Sequence, residues 1–310
     1  MVAMAITTII VTVLVSITSI ALDTWNRSRA ELRASRQAKT MIDVVARDLE
    51  SLVMRRGNVS EWFVAEQPTE MPGENLKSTN VSQLTFLTAA TDRYDGKLGT
   101  SDDKGGDVSC VAYRLEYKDP VDPNGDFKTF VLNRFLISPF DTFKDVLGKT
   151  DMTNAIAGNG QANKHLFDAT ETYNDEMMKP VNFLCENVFQ FTLTFHLQIT
   201  QTSAGTPPTT TIVNFPLTIP SKSPQIDTLS ITGGGIVLKN DNIIVTGGVN
   251  GFTREQILGG RITAVEISVT VISDFGIDQL RNRSFTGSQQ AEFLAKHSYE
   301  FSKLVQLPTM

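Results

Sequence analysis

The sequence has few of the residues from which catalytic and metal centres are most often built. Its 310 residues include three histidines and two cysteines, with no closely spaced pair of the kind that a zinc site needs. His165, His196 and His297 belong to no Gly-x-Ser-x-Gly or His-Glu-x-x-His motif. We expect His165 in a loop, His196 on an exposed strand face and His297 packed on a helix. These absences argue against a hydrolase, and we predict that the protein is not an enzyme.

A basic excess is also absent, since the formal net charge is −6. Nucleic-acid binding proteins usually carry a strongly basic patch, so nucleic acid is not an expected partner. The first 56 residues hold eight Lys and Arg against five Asp and Glu, while the remainder is acidic. The chain therefore joins a basic stalk to an acidic body, a balance that favours solubility rather than any particular ligand.

Charge is missing altogether from the first 22 residues, since Asp23 is the first charged side chain. A helix of that length spans about 33 Å, enough to cross a hydrocarbon core of about 30 Å. Six Thr and Ser hydroxyls in this segment can bond back to preceding carbonyls. The apolar residues predicted to contact membrane or neighbouring helices are Ile6, Ile9, Ile10, Val13, Leu14 and Ile17.

The pattern then becomes amphipathic without a break, because residues 24–56 contain neither Pro nor Gly. Apolar residues at spacings of three and four form one helical stripe. We predict one helix of about fifty residues ending at Gly57, a typical C-terminal stop. Residues 1–57 would be the membrane or assembly helix and 58–310 the globular domain. The residues expected to dock the helix onto that domain are Leu32, Met41, Val45, Leu49 and Leu52.

Two other interpretations of the N-terminal segment remain open. Ser19-Ile20-Ala21 could be a signal-peptide cleavage site, although the segment has a long apolar run and no basic region before it. A plain transmembrane anchor meets a second difficulty, because the basic cluster from Arg27 to Lys39 would hold the large domain in the cytoplasm. A basic segment upstream of Met1 would remove that conflict.

The opening Met1-Val2-Ala3-Met4-Ala5-Ile6 resembles the interior of a type IV prepilin N-terminus, which continues as one long helix. The basic leader, the cleavage-site glycine, the first mature Phe and the family's Glu are not among these residues. Processing and N-terminal methylation therefore cannot be assigned to any residue here.

A second stretch, Met41-Ile42-Asp43-Val44-Val45-Ala46-Arg47-Asp48-Leu49-Glu50, resembles the end of the long helix in J-type minor pseudopilins and PilW-like minor pilins. Weaker similarities continue at residues 113–117, 131–134 and 184–188. The layout is also similar to the prepilin-like family labelled Verru_Chthon cassette protein C.

The resemblance implies a structural subunit of a type IV pilus-like or type II secretion-like filament. Its helix would cross the inner membrane once, with the globular domain in the periplasm or at the cell surface. Its partners would be membrane lipid before assembly and other pilin-like subunits afterwards, with no small-molecule substrate. The alternative is a membrane-anchored extracytoplasmic binding or sensor domain, which an ordinary start upstream of Met1 would favour.

The globular part shows the period-two alternation of half-buried strands. We predict strands at 83–89, 111–117, 128–137, 191–199, 211–219 and 265–271, with a hairpin formed by 236–238 and 243–245. The pattern lacks a regular βαβ alternation, which indicates an α+β fold with mainly antiparallel sheet. Asp274-Phe275-Gly276 should end a strand and begin a helix. A C-terminal helix is expected over 288–304, and residues 148–178 should form a long polar loop with a helical piece.

One acidic loop has the residues of a candidate calcium site. Asp122, Asn124 and Asp126 place oxygens at alternating positions, as in a calcium loop, but the loop lacks the glycine and glutamate of an EF-hand. Asp, Asn and Gly also form ordinary turns. No other cofactor is expected.

Cys110 and Cys185 could form a disulfide in an exported protein or remain two buried thiols.

Overall fold

The computed structural model describes residues 2–54, 61–68, 70–89, 106–122, 125–147, 174–202, 210–219, 229–232, 235–239, 242–245, 248–249 and 254–307. Six α-helical segments occur in this part of the chain. They are α1 (Val2–Glu50), α2 (Pro139–Asp141), α3 (Asn174–Met177), α4 (Arg254–Leu258), α5 (Asp274–Asn282) and α6 (Gly287–His297). A π-helical turn covers Thr142–Val146 and a 3₁₀ turn covers Pro180–Asn182.

Helix α1 is 49 residues long, which confirms the predicted length of about fifty. It ends at Glu50 rather than at Gly57, because the chain turns away to pair with the sheet. The amide of Val53 donates to the carbonyl of Leu87 at 2.9 Å, and the amide of Ala89 donates to the carbonyl of Ser51 at 2.9 Å. The end of α1 is therefore fixed by strand pairing rather than by a glycine cap.

The first sheet has seven antiparallel strands in the order β10-β9-β1-β2-β3-β4-β5. Its strands are β1 (Glu61–Glu66), β2 (Gln83–Thr88), β3 (Ser109–Lys118), β4 (Thr129–Ile137), β5 (Phe183–Glu186), β9 (Gly235–Lys239) and β10 (Asn242–Val245). The predicted hairpin is confirmed as β9 and β10, and the predicted strands at 111–117 and 128–137 are confirmed as β3 and β4, which pair with each other. Strand β1 was not predicted, since all six of its residues are buried and show no alternation.

The second sheet has six strands in the order β11-β8-β7-β6-β12-β13, antiparallel except for β7 and β8. Its strands are β6 (Val188–Thr202), β7 (Thr210–Ile219), β8 (Leu229–Thr232), β11 (Gly248–Val249), β12 (Arg261–Ile272) and β13 (Ser298–Gln306). The alternating segments at 191–199, 211–219 and 265–271 are thereby confirmed as adjacent strands. The α+β class with mainly antiparallel sheet holds.

The two sheets face each other across a shared aromatic core. The rings of Phe63 and Phe195 meet edge to face at 5.7 Å, and those of Phe130 and Phe189 at 5.2 Å. Each pair joins one sheet to the other, because Phe63 and Phe130 lie on the first sheet and Phe195 and Phe189 on the second. Helix α1 packs along one side of this core, against β12, β13 and β5.

The predicted helix over 288–304 is wrong in its second half. Helix α6 ends at His297, and Ser298 begins a nine-residue strand that pairs with β12 along its whole length. The apolar residues Tyr299, Phe301 and Val305 are separated by two and four positions. This spacing fits one face of a strand as well as it fits a helix. Pairing with β12 decides between the two.

The segment around Asp274 begins a helix, as predicted. Ser273 is the N-cap of α5, and its hydroxyl accepts a hydrogen bond from the amide of Gly276 at 3.2 Å. A Cβ atom on Gly276 would lie 2.6 Å from the Ile272 side chain and 3.0 Å from that of His297. The glycine is therefore required by close packing.

Candidate functional site: an exposed apolar helix locked to a globular domain

The first half of α1 is apolar and solvent-exposed on every side. The six residues predicted to contact membrane or neighbouring helices are each between 51% and 64% exposed. They are Ile6, Ile9, Ile10, Val13, Leu14 and Ile17. An exposed apolar surface of this size marks a membrane or protein contact. Among the described residues, this helix is the one that is long and apolar enough to cross a membrane.

Most hydroxyl groups of this half donate to carbonyls within the helix. The side chains of Thr12 and Ser16 donate to the carbonyls of Thr8 and Thr12 at 2.8 and 2.9 Å, and Thr18 donates to Leu14 at 2.8 Å. Such bonds reduce the cost of placing a hydroxyl where no water can reach it. The predicted back-bonding is confirmed, and the polar residues do not prevent burial in lipid.

The second half of α1 is held in the core of the globular domain. Its buried residues recur at helical spacing and, with Leu52 just beyond the helix, belong to the same hydrophobic cluster as both sheets: Ala34, Ala38, Met41, Ile42, Val45, Ala46 and Leu49. Met41, Val45, Leu49 and Leu52 are buried as predicted, whereas the prediction for Leu32 is wrong, since it is 58% exposed. Leu32 lies two residues, or about 200°, from Ala34, so it points away from the domain.

A buried ion pair fixes the register of this docked half. Both carboxylate oxygens of Asp48 accept from Arg134 on β4, at 2.7 Å from Nε and 3.0 Å from Nη2. The Tyr113 hydroxyl on β3 also donates to Asp48. Burial and the nearby carboxylate raise the pKa of Tyr113 well above its usual range, so the phenol stays protonated and remains a donor. We call Asp48, Arg134 and Tyr113 the buried clamp.

Three solvent-accessible ion pairs add contacts along the stalk. Arg33 lies 2.6 Å from Asp274 at the start of α5 and 3.4 Å from Glu186 on β5. Lys303 on β13 lies 2.8 Å from Asp43, and this hydrogen bond lowers the pKa of the Asp43 carboxyl. Solvent screens pairs of this kind, so they orient the helix more than they stabilise it.

Two of the three residues proposed for calcium lie beside an open cleft. Asp122 and Asp126 line a cavity of about 680 Å³ between α1, α5 and the β3–β4 loop. Asp119 organises that loop, since its carboxylate accepts from the amides of Val121, Asp122 and Phe127 at 2.9, 3.1 and 3.2 Å. These backbone donors lower the pKa of the Asp119 carboxyl. The carboxylate therefore serves as a turn-forming group.

The calcium prediction gains no support from this geometry. Asn124 lies outside the described residues, and within the described ranges no group of three His, Cys, Asp or Glu side chains is placed to hold a metal ion.

The cysteines are two separate free thiols, so the disulfide alternative is wrong. Cys110 lies on β3 opposite Ile137, and Cys185 lies on β5 opposite Leu132, with β4 between them. Two strand spacings and five residues along β4 separate the Cα atoms by roughly 20 Å. A disulfide needs them within about 7 Å.

We expect both thiols to be inert in the folded protein. Burial raises the pKa of Cys110 and of Cys185 to about 12, so neither forms a thiolate at neutral pH. A thiol reagent such as DTNB should titrate neither cysteine at pH 8 in the native chain and both in denaturant without reductant. A denatured chain that releases no colour until it is reduced would contradict this expectation.

The histidines form no catalytic arrangement in the described structure. His297 is buried beside Phe293 and Phe275, with ring centroids at 5.0 and 5.6 Å, as predicted for a packed residue. His196 is half-buried on β6 rather than exposed, because Pro216 and Ala264 flank it on the neighbouring strands. His165 lies outside the described residues.

The buried clamp was missed by the sequence reasoning, although one signal was present. Asp48 falls on the apolar stripe of α1, three residues after Val45 and one before Leu49. A carboxylate at such a position needs a buried partner. Its partners Arg134 and Tyr113 are 86 and 65 residues away, beyond what local periodicity can reveal.

Comparison with protein-family models, curated proteins and solved structures finds no match.

Proposed function

We propose that the protein is a minor pilin or pseudopilin, a structural subunit of a type IV pilus-like or type II secretion-like filament that assembles through its N-terminal helix. The observation that carries the proposal is the division of α1 into two halves. The first is apolar and exposed on all sides, and the second is buried in the domain core. The protein would reside in the inner membrane with its domain in the periplasm or at the cell surface before it assembles.

The physical basis is the cost of exposed apolar surface. Removing apolar area from water is favourable by about 25 cal/mol per Å², and either lipid or a bundle of similar helices can cover this surface. A helix that is apolar all round suits both environments in turn. Sequence resemblance to prepilins at residues 1–6 and 41–50 points the same way.

The rigid joint between the two halves favours assembly over simple anchoring. Residues 24–50 form continuous helix without Gly or Pro, and the buried clamp fixes this helix to the sheet. The domain therefore holds a fixed position relative to the apolar half, as a filament subunit requires. A plain anchor works equally well through a flexible linker.

The alternative is a membrane-anchored binding or sensor domain, which the open cleft favours. Its lining combines six carboxylates with Arg33 and Arg281, a surface suited to polar ligands. In that case α1 would act as an anchor, and its apolar half would contact lipid alone.

Cysteine scanning of the apolar half separates the two functions. Single cysteines replace the six predicted contact residues in turn and, on the opposite face of the helix, Thr8, Val11 and Val15. Each cysteine is labelled in native membranes with benzophenone maleimide, which on irradiation inserts into a C–H bond of any neighbouring chain. We expect crosslinks to other single-helix subunits from one or two helical faces, with a period near 3.6 residues. The native thiols do not interfere because both are buried. Val121→Cys, at an 80% exposed loop position, controls for random collision.

A filament subunit gives the periodic pattern, and the Val121→Cys control gives no adducts. If no adducts form at any of the helix positions while the chain remains membrane-bound, the helix is an anchor and the alternative function is preferred.

A further inference from the structure

An aromatic and basic group follows the apolar half of α1 directly. Trp25 lies three residues beyond Leu22, the last apolar residue of the uncharged segment, and is 59% exposed. The guanidinium of Arg29 lies over its ring, 5.4 Å from the centroid. Arg27, also exposed, lies between the two in sequence. We call Trp25, Arg27 and Arg29 the collar.

The collar lies at the height of lipid headgroups when the apolar half spans a membrane. At about 1.5 Å per residue, Trp25 is roughly 5 Å, Arg27 roughly 8 Å and Arg29 roughly 10 Å beyond Leu22. The headgroup layer on each side is about 5 to 8 Å thick, and arginine side chains are long enough to reach back into it. Arg36 and Lys39 lie more than about 20 Å beyond Leu22, and so more than one Debye length of about 8 Å beyond the headgroup layer.

The edge of the globular domain nearest to the collar adds to this surface. The ring of Phe275 is 63% exposed and lies 5.6 Å from the ring of His297. The pKa of His297 is lowered mainly by burial and then by the charges of Lys296 and Arg27. Both cations therefore lie near this edge of the domain. Asp23 and Glu31 are the acidic residues nearest to the collar in sequence, and neither forms an ion pair with Arg27 or Arg29 among the described contacts. Asp274, next to Phe275, pairs with Arg33 instead.

We propose that the collar binds the headgroups of anionic phospholipids and so sets the depth of the helix in the membrane. Arginines give charge-assisted hydrogen bonds to lipid phosphate, and an indole ring prefers the interface between hydrocarbon and water. An anionic headgroup is favoured over a zwitterionic one because it carries no cation of its own to repel the arginines. The inference rests on the proposed function, since it requires α1 to be inserted in a membrane.

The collar contains its own probe, because Trp25 fluorescence is quenched by brominated lipid acyl chains within contact distance. The full chain is reconstituted into two kinds of vesicle with equal charge and equal bromine content. In one, phosphatidylglycerol carries the bromine, and in the other phosphatidylcholine does. The second tryptophan, Trp62, is 2% exposed in the domain core, and Trp25→Phe supplies its unquenched background.

We expect brominated phosphatidylglycerol to quench Trp25 roughly threefold more than brominated phosphatidylcholine, as two nearby arginines would produce. The Arg27→Gln/Arg29→Gln variant should bring the ratio close to one. The matched variant Arg36→Gln/Lys39→Gln loses the same charge from exposed positions farther along the stalk, and it should keep the wild-type ratio.

The outcomes separate the collar from the membrane insertion on which it depends. Equal quenching by both lipids in the wild type overturns the collar and leaves insertion intact. An equal loss of preference in both double variants also overturns it, since net charge alone would then be responsible. If neither lipid quenches Trp25, the helix is not inserted and the proposed function fails first.

Discussion

Replacing Asp48 with Ala should lower the free energy of unfolding by about 3 to 5 kcal/mol, because it leaves Arg134 buried without its carboxylate partner. Asp48 is 2% exposed and Arg134 is 8% exposed, so water cannot replace the lost contact cheaply. For a chain of this size the melting temperature should fall by roughly 10 °C. Urea unfolding of the full chain in detergent micelles, followed by Trp62 fluorescence, measures the effect.

Three further variants identify the cause of that loss. Asp43→Ala removes an exposed ion pair from the same helix and should be close to wild type. Asp48→Asn keeps an acceptor for Tyr113 and should fall between wild type and Asp48→Ala. The double variant Asp48→Ala/Arg134→Met should recover part of the stability, because it removes the uncompensated charge. An Asp48→Ala protein as stable as Asp43→Ala would show that the buried clamp does not hold the helix.

Val13→Arg should release the protein from membranes to a large extent without destabilising the domain. Val13 lies near the middle of the uncharged segment and is 51% exposed. An arginine at the centre of a spanning helix costs about 2.5 to 3.5 kcal/mol on the insertion scale. The fraction of protein that stays in the membrane pellet after an alkaline carbonate wash reports the effect.

Leu32→Arg is the matched control for that experiment. Leu32 is also an exposed apolar residue of α1, at 58%, but it lies ten residues beyond Leu22 and outside the predicted span. The variant should stay in the pellet like the wild type, and both variants should melt at the wild-type temperature because neither residue packs on the domain. Equal retention of Val13→Arg and Leu32→Arg would mean that the apolar half does not span the bilayer.

Elements with a strong local pattern could be predicted from the sequence. An uncharged run and an amphipathic stripe predicted α1, and alternation predicted β3, β6 and β12, because side-chain periodicity follows directly from helix and strand geometry. Fully buried β1 lacks that alternation and was missed. The apolar residues of β13 fit two periods, and only pairing with β12 settled which one the chain adopts.

The sequence by itself determined that this chain has a long helix, apolar and then amphipathic, on an antiparallel α+β domain, because these features depend on neighbours within a few residues. Tertiary structure alone decided that Leu32 faces solvent, that Cys110 and Cys185 lie on separated strands, and that Asp48 meets Arg134 and Tyr113. Each of these outcomes depends on which distant segments come together, and that is set by how the two sheets and the helix pack around one core.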